Sequence, residues 1–146
     1  MEQPRASGMI VTVADGYSAA VLEVTDREVR RFEPENGLLV RTNHFFHPDL
    51  KEITSTPEEN PSSYARHARA LELLAHRHGS VGMHDILRIL SDHTAPPSDN
   101  SICRHGDGVT EARTCGAVIN CPEDRTMWGI LGNPCDGIQS LGIPGE

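Results

Sequence analysis

The Asn36-Gly37 pair constrains the fold of this chain more than any other short stretch. Both residues tolerate positive φ better than most. Such a pair between two stretches of strand-forming residues specifies a tight hairpin turn. Three short runs precede it: residues 9–13, then 19–24 after the turn signal Ala14-Asp15-Gly16, then a more polar run at 28–32. Residues 38–43 return from the pair, opening with Leu38-Leu39-Val40. The pattern predicts an antiparallel meander of four short strands, with an apolar face that another layer must cover.

The covering layer follows in sequence. Residues 48–61 are polar and read as a surface loop. Beyond them Tyr64, Ala68, Leu71 and Ala75 recur at helical spacing, with His67 and Leu74 beside them. Asn60 is placed to cap this helix and Pro61 to occupy its first turn, and the helix is expected over 62–78, closed by Gly79. A second helix is expected from Ser80, its buried stripe formed by Met83, Ile86, Leu87 and Leu90. Pro96-Pro97 ends the helical region inside a linker at 94–100. Two more strands are expected at 114–120 and 126–131. With 146 residues the chain makes one domain, 1–146, and an aromatic content of 4% requires a mainly aliphatic core.

Composition narrows the function classes. A formal net charge of -8 argues against a nucleic-acid surface, which needs concentrated positive charge. No apolar run approaches the about 20 residues of a membrane span, and the N-terminus lacks the basic-then-apolar pattern of a signal peptide. A cytoplasmic location is expected, with neither nucleic-acid nor membrane partner. The four cysteines, Cys103, Cys115, Cys121 and Cys135, lack the close CxxC pairs of common zinc sites and read as free thiols.

Two polar clusters carry candidate chemistry. Arg41-Thr42-Asn43-His44-Phe45-Phe46-His47 sets an amide and two imidazoles at a strand end, where they can meet a substrate while the core holds the strand. The plainer reading is a strand edge running into a surface loop. Ser101-Ile102-Cys103-Arg104-His105 is the second cluster. Arg104 and His105 would stabilise a Cys103 thiolate, but adjacent side chains on an extended segment point in opposite directions, so Cys103 reads as a structural thiol. His44, His47, Cys103 and His105 form a metal set only if the fold gathers them; no metal and no cofactor is expected. Asp92-His93 reads as a helix-end charge pair, and Gly106-Asp107-Gly108 is too short for a phosphate loop. Met127 and Trp128 read as packing residues, and His67, His76, His78 and His84 as helix-surface or boundary residues.

Taken in order, Arg41 to Phe45, the helices ending in Ile89-Leu90-Ser91-Asp92-His93, Ser101 to His105, Thr114-Cys115-Gly116-Ala117-Val118-Ile119, and Met127-Trp128 leading to Gly132-Asn133-Pro134-Cys135 resemble the C-terminal part of the acyl-coenzyme A:6-aminopenicillanic-acid acyltransferase family, the C45 peptidases. The resemblance spans Gly8 to Cys135. It implies an α+β fold that forms part of an N-terminal-nucleophile αββα sandwich, with antiparallel strands and two adjacent helices. It also implies cleavage or transfer of acyl groups at amide bonds by an N-terminal cysteine exposed by self-cleavage, whose α-amine serves as base. By resemblance Asn43 supports the oxyanion or substrate carbonyl, Arg104 orders the pocket, and His44 and Phe45 bind substrate. The family places its nucleophile upstream of Asn43, whereas residues 1–41 contain no cysteine. The expectation is therefore an amidohydrolase or acyltransferase fragment that is inactive alone. One alternative is a part of a split enzyme completed by a separately encoded upstream half, acting on a small amide or acyl substrate. The other is a non-catalytic binding or interaction module, for which exposed sheet edges favour a partner or self-association.

Overall fold

The computed structural model describes residues 8–94, 100–106 and 112–137. It is an α+β arrangement of two antiparallel sheets and two helices. Strands β1 (Met9–Ala14), β2 (Ala19–Val24) and β3 (Val29–Phe32) form a three-stranded meander in that spatial order. Pairing runs from Met9 opposite Val24 to Ala14 opposite Ala19, and from Val21 opposite Phe32 to Val24 opposite Val29. Both turns are closed by short polar side chains. Asp15 accepts hydrogen bonds from the Tyr17 and Ser18 amides, each 2.8 Å, and Thr25 Oγ1 accepts from the Glu28 amide at 2.9 Å.

Central strand β2 buries Ala20, Val21 and Val24, and also Glu23, which is fully inaccessible. That buried carboxylate explains the main departure from the sequence-based expectation. Asn36 and Gly37 do form the tight turn, with φ of 50° and 76°, and Glu35 and Leu38 exchange both backbone hydrogen bonds at 3.0 Å. The ladder then stops: the expected fourth strand over 38–43 does not form. A buried carboxylate must find donors, and Glu23 takes them from this part of the chain, accepting from the Phe46 amide (2.9 and 3.0 Å) and the His47 amide (3.0 Å) and pairing with Arg41. Residues 41–47 are thereby drawn over β2 instead of continuing beside β3.

The segment expected as a surface loop over 48–61 contains a single 3-10 turn, Pro48–Leu50, whose Leu50 is 2% exposed and belongs to the core. Helix α1 (Pro61–Ala75) starts as expected, with the Asn60 side chain accepting from the Ser63 amide at 3.3 Å and Pro61 in the first turn. It ends three residues before the expected boundary. His78 instead leaves the helix and contacts the Asn36 carbonyl at 2.6 Å, and Gly79 completes the reversal at φ 79°. Helix α2 (Met83–Leu90) begins later than expected, where Asp85 accepts from the Gly82 amide at 3.1 Å. Its buried residue is Ile89; Met83, Ile86, Leu87 and Leu90 are only half-buried.

Strands β4 (Gly116–Cys121) and β5 (Thr126–Leu131) pair as a separate hairpin, with Ile119 opposite Trp128. β4 starts two residues after the expected 114. A second 3-10 turn, Pro134–Asp136, follows, and α2 packs against both β4 and this turn. Ile119, Ile130, Ile89 and Cys103 supply the buried apolar groups of this half. The helices are joined by Arg69 of α1, which grips Asp92 beyond α2 with two bonds of 3.1 and 2.9 Å. Residues 95–99 of the expected linker, and Asp107 and Gly108, lie outside the described residues.

Candidate active site and a second polar cluster

The Arg41–His47 segment is organised from beneath by Glu23 and from the side by α1. Arg41 Nε lies 3.3 Å from Glu23 Oε1, close enough for an ion pair but without the alignment of a hydrogen bond. The guanidinium is sandwiched, 4.3 Å from the Phe32 ring centre and 4.4 Å from that of Phe46. Ser63, in the first turn of α1 and wholly buried, accepts from the Asn43 amide at 2.8 Å and bonds His44 Nδ1 at 2.8 Å and Thr42 Oγ1 at 3.0 Å. The His44 ring stacks on Tyr64 with centres 3.7 Å apart. Burial, followed by the repulsion of His67, holds His44 below the usual imidazole range. Burial and Arg41 do the same to His67. Both shifts favour the neutral rings.

This packing separates the residues that the sequence put forward together. His44 is 4% exposed, and its ring is taken up by the Ser63 and Tyr64 contacts. Asn43 and Phe45, on either side of it, line a cavity of about 460 Å³ together with Gly8, Met9, Ile10 and Thr54. The Asn43 side chain is oriented by Arg66, whose Nη2 donates to Asn43 Oδ1 at 2.8 Å. Arginine only donates, so the atom facing it is the amide oxygen. The Asn43 Nδ2 donor is left with no hydrogen bond among the described residues. A wider open cleft of about 1050 Å³ is lined by Phe32, Leu38, Arg41, Phe46, His67 and Leu71 among others.

Arg104 belongs to a different neighbourhood. Its amide donates to Thr114 Oγ1 at 3.0 Å, its carbonyl accepts from Asn133 Nδ2 at 2.7 Å and from the Thr114 amide at 2.8 Å, and its buried Nε has no partner among the described residues. It makes no hydrogen bond or ion pair to Asn43, His44 or Phe45. Beside it a set of ligand-type groups converges. Cys103, 1% exposed, has its sulphur 3.7 Å from Cys135 Sγ and 3.8 Å from His105 Nε2. His105 Nε2 is in turn 3.2 Å from Cys135 Sγ and 2.9 Å from His93 Nε2. Desolvation of its sulphur, together with the Cys103 thiol, pushes the Cys135 thiol up to about 11, although the residue as a whole is exposed.

The order of the motifs is matched by a family model, that of acyl-coenzyme A:6-aminopenicillanic acid acyl-transferase, over residues 1–136. The chain belongs to this acyl-transferase family. No curated protein matches it. Among the described residues of this family member no helix is long and apolar enough to cross a membrane.

Sequence reasoning singled out Asn43 and Phe45, which both line the smaller cavity, but missed what positions them. Ser63 and Arg66 lie 20 and 23 residues from Asn43, and their only signal was the Asn60-Pro61 cap that fixes where α1 begins. The metal set weighed from sequence, His44, His47, Cys103 and His105, is not the one that assembles. His44 bonds Ser63, His47 caps the Pro48–Leu50 turn by accepting from the Asp49 amide, and His93 and Cys135 take their places beside Cys103 and His105. The legible part of that signal was Cys103-Arg104-His105, because residues two apart alternate back to the same side.

Proposed function

We propose that this chain is the acyl-binding part of a cysteine N-terminal-nucleophile amidohydrolase or acyltransferase of C45 type, its two sheets forming part of an αββα sandwich. The observation that carries the reading is the Asn43 side chain. Arg66 holds its amide oxygen, and its Nδ2 donor is left at the wall of the cavity it shares with Phe45. A donor fixed before substrate arrives is what a developing oxyanion requires. Phe45 would supply apolar contact for the acyl chain. His44 acts as a positioning residue, because its bond to Ser63 and its stack on Tyr64 set the backbone on both sides of it. Arg104 would order the Cys103 segment through its backbone bonds to Thr114 and Asn133.

In this reaction the α-amine of an N-terminal cysteine takes the thiol proton and the thiolate attacks the amide carbonyl. Asn43 donates to the resulting oxyanion. Collapse expels the amine, which takes the proton, and leaves an acyl-thioenzyme that water or an acceptor amine resolves. Residues 1–102 contain no cysteine, and Cys103 is 1% exposed and packed against Cys135 and His105. In this reading the nucleophile is the N-terminal cysteine of an upstream family segment, and Cys103 does not serve as it.

The test is labelling by an amide-directed, thiol-reactive acyl probe, with the chain alone and with an added upstream family segment that bears an N-terminal cysteine. Peptide mass then locates the label. Acylation of the added cysteine only, slowed about 10²–10³-fold by Asn43→Leu, is the expected outcome. Labelling of Cys103 in the chain alone, abolished by Cys103→Ala, would refute the assignment. A second reading, an interaction module, is favoured by the apolar side chains left open on the sheets: Met9 and Val13 on β1, Val118 and Leu131 on the hairpin.

A further inference from the structure

We infer that His93, Cys103, His105 and Cys135 form a four-ligand site for a thiophilic divalent cation, with Zn²⁺ the best fit, that ties the end of α2, the Ser101–His105 segment and the Pro134–Asp136 turn together. One donor atom from each residue lies within 4.8 Å of all the others. A tetrahedral Zn²⁺ with bonds of about 2.3 Å to sulphur and about 2.0–2.1 Å to nitrogen spaces its donors by about 3.8 Å between sulphurs, about 3.6 Å from sulphur to nitrogen and about 3.3 Å between nitrogens. Four of the six separations here are 3.7 Å between the sulphurs, 3.8 and 3.2 Å from the sulphurs to His105, and 2.9 Å between the imidazoles, and the two from His93 to the sulphurs are within 4.8 Å. Both imidazoles present Nε2 to the same point, as ligands do.

Ligand chemistry selects the ion. Two thiolates with two imidazoles suit Zn²⁺, whereas the hard cations Mg²⁺ and Ca²⁺ require oxygen donors. Four protein donors close the coordination shell, which makes the site structural rather than catalytic. Entry of the metal from the exposed side, where His93, His105 and Cys135 reach solvent, releases one proton from each thiol and leaves both sulphurs as bound thiolates.

The surroundings hold the ligands as a metal site requires. Asn133 Nδ2 lies 3.4 Å from Cys103 Sγ, a donor to the thiolate, while also bonding the Arg104 carbonyl. The Cys103 amide donates to the Asp92 carbonyl at 3.0 Å, and Asp92 is itself clamped by Arg69, so the residue before His93 and the first thiolate are fixed to each other. A disulfide would use the two sulphurs alone and give the two converging imidazoles nothing to do.

The site does not depend on the acyl-transfer reading, and its test reads no activity. The full chain is reduced with a phosphine and titrated with Co²⁺, followed by Zn²⁺. The expected result is one equivalent of Co²⁺ with tetrahedral d–d bands and a thiolate-to-metal charge-transfer band, both removed by one equivalent of Zn²⁺. Cys135→Ser and His93→Gln, at exposed positions that spare the core, should each abolish the charge-transfer or tetrahedral signature with the circular dichroism unchanged. Cys115→Ser and Cys121→Ser should leave it intact, and Asn133→Ala should weaken binding about 10–100-fold. Three results would overturn the inference: no Co²⁺ bound by folded, reduced chain; an octahedral spectrum without the thiolate band; or spectra indifferent to Cys135→Ser and His93→Gln.

Discussion

The Glu23 neighbourhood and the Cys103 neighbourhood both bury polar groups, but they resolve the cost differently. Glu23 is saturated from within: two backbone amides donate to its oxygens and Arg41 pairs with it, while Ser63 on the adjoining helix bonds Asn43, His44 and Thr42. Around Cys103 the groups converge without saturating one another. Two thiols and two imidazoles face one point, and their mutual contacts, between 2.9 and 3.8 Å, are those of donors around a shared centre. The first region is a scaffold closed by its own chain. The second is a site completed by something added.

If that contrast is right, the largest loss comes from opening the closed region. Glu23→Ala strands Arg41 beside two amides with no acceptor, and urea unfolding should show a loss of about 3–5 kcal/mol. An equivalent change at the open cluster, Cys135→Ser without metal, should leave the midpoint nearly unmoved.

Ser63→Ala should cost about 1–3 kcal/mol by chemical denaturation, since it leaves the buried His44 ring and the part-buried Asn43 amide without their shared partner. The same substitution should also impair probe transfer in the complemented enzyme through displacement of Asn43.

The acid response sharpens the comparison further. His44 and His67 are held below their unfolded values, mainly by burial. Well above pH 6.5 both states carry neutral rings and the linkage is silent. As pH falls through that value the unfolded chain takes up protons first, so the stability contributed by these rings is lost progressively down to their lowered folded values. Unfolding midpoints at descending pH should show this slope, and His67→Gln, at the less buried ring, should flatten it.

A smaller loss belongs to the helix start. Asn60→Ala removes the cap on the Ser63 amide and should cost about 1 kcal/mol by thermal melting. Its consequence for the contrast is indirect, because fraying at Pro61 loosens Ser63.

The sequence made local features legible and long-range ones not. The Asn36-Gly37 turn, the run at Ala19–Val24, the Asn60-Pro61 helix start and the Thr126–Leu131 strand follow from backbone preferences within a few residues. The end of the meander did not, because what diverts residues 41–47 is a carboxylate about twenty residues upstream, and an isolated Glu23 in an apolar strand carries no sign of its partners. Helix α1 ended early for a similar reason: His78 is held by the Asn36 carbonyl, 42 residues away. At the candidate site the resemblance singled out Asn43, His44 and Phe45 alike, whereas the burial of His44 between the other two is decided by α1. The His93–Cys135 convergence depends on α2 packing against the Pro134–Asp136 turn, which no spacing rule encodes.

Residue-resolved amide exchange on the reduced chain, with and without one equivalent of Zn²⁺, tests the contrast most directly. The Phe46 and His47 amides should be strongly protected in both samples, since their acceptor is the buried Glu23 carboxylate. Protection of the Cys103 and Asp136 amides, bonded to the Asp92 and Asn133 carbonyls, should rise when metal is present. Phe46 and His47 exchanging as fast as exposed loop amides, or Cys103 and Asp136 indifferent to Zn²⁺, would contradict the contrast.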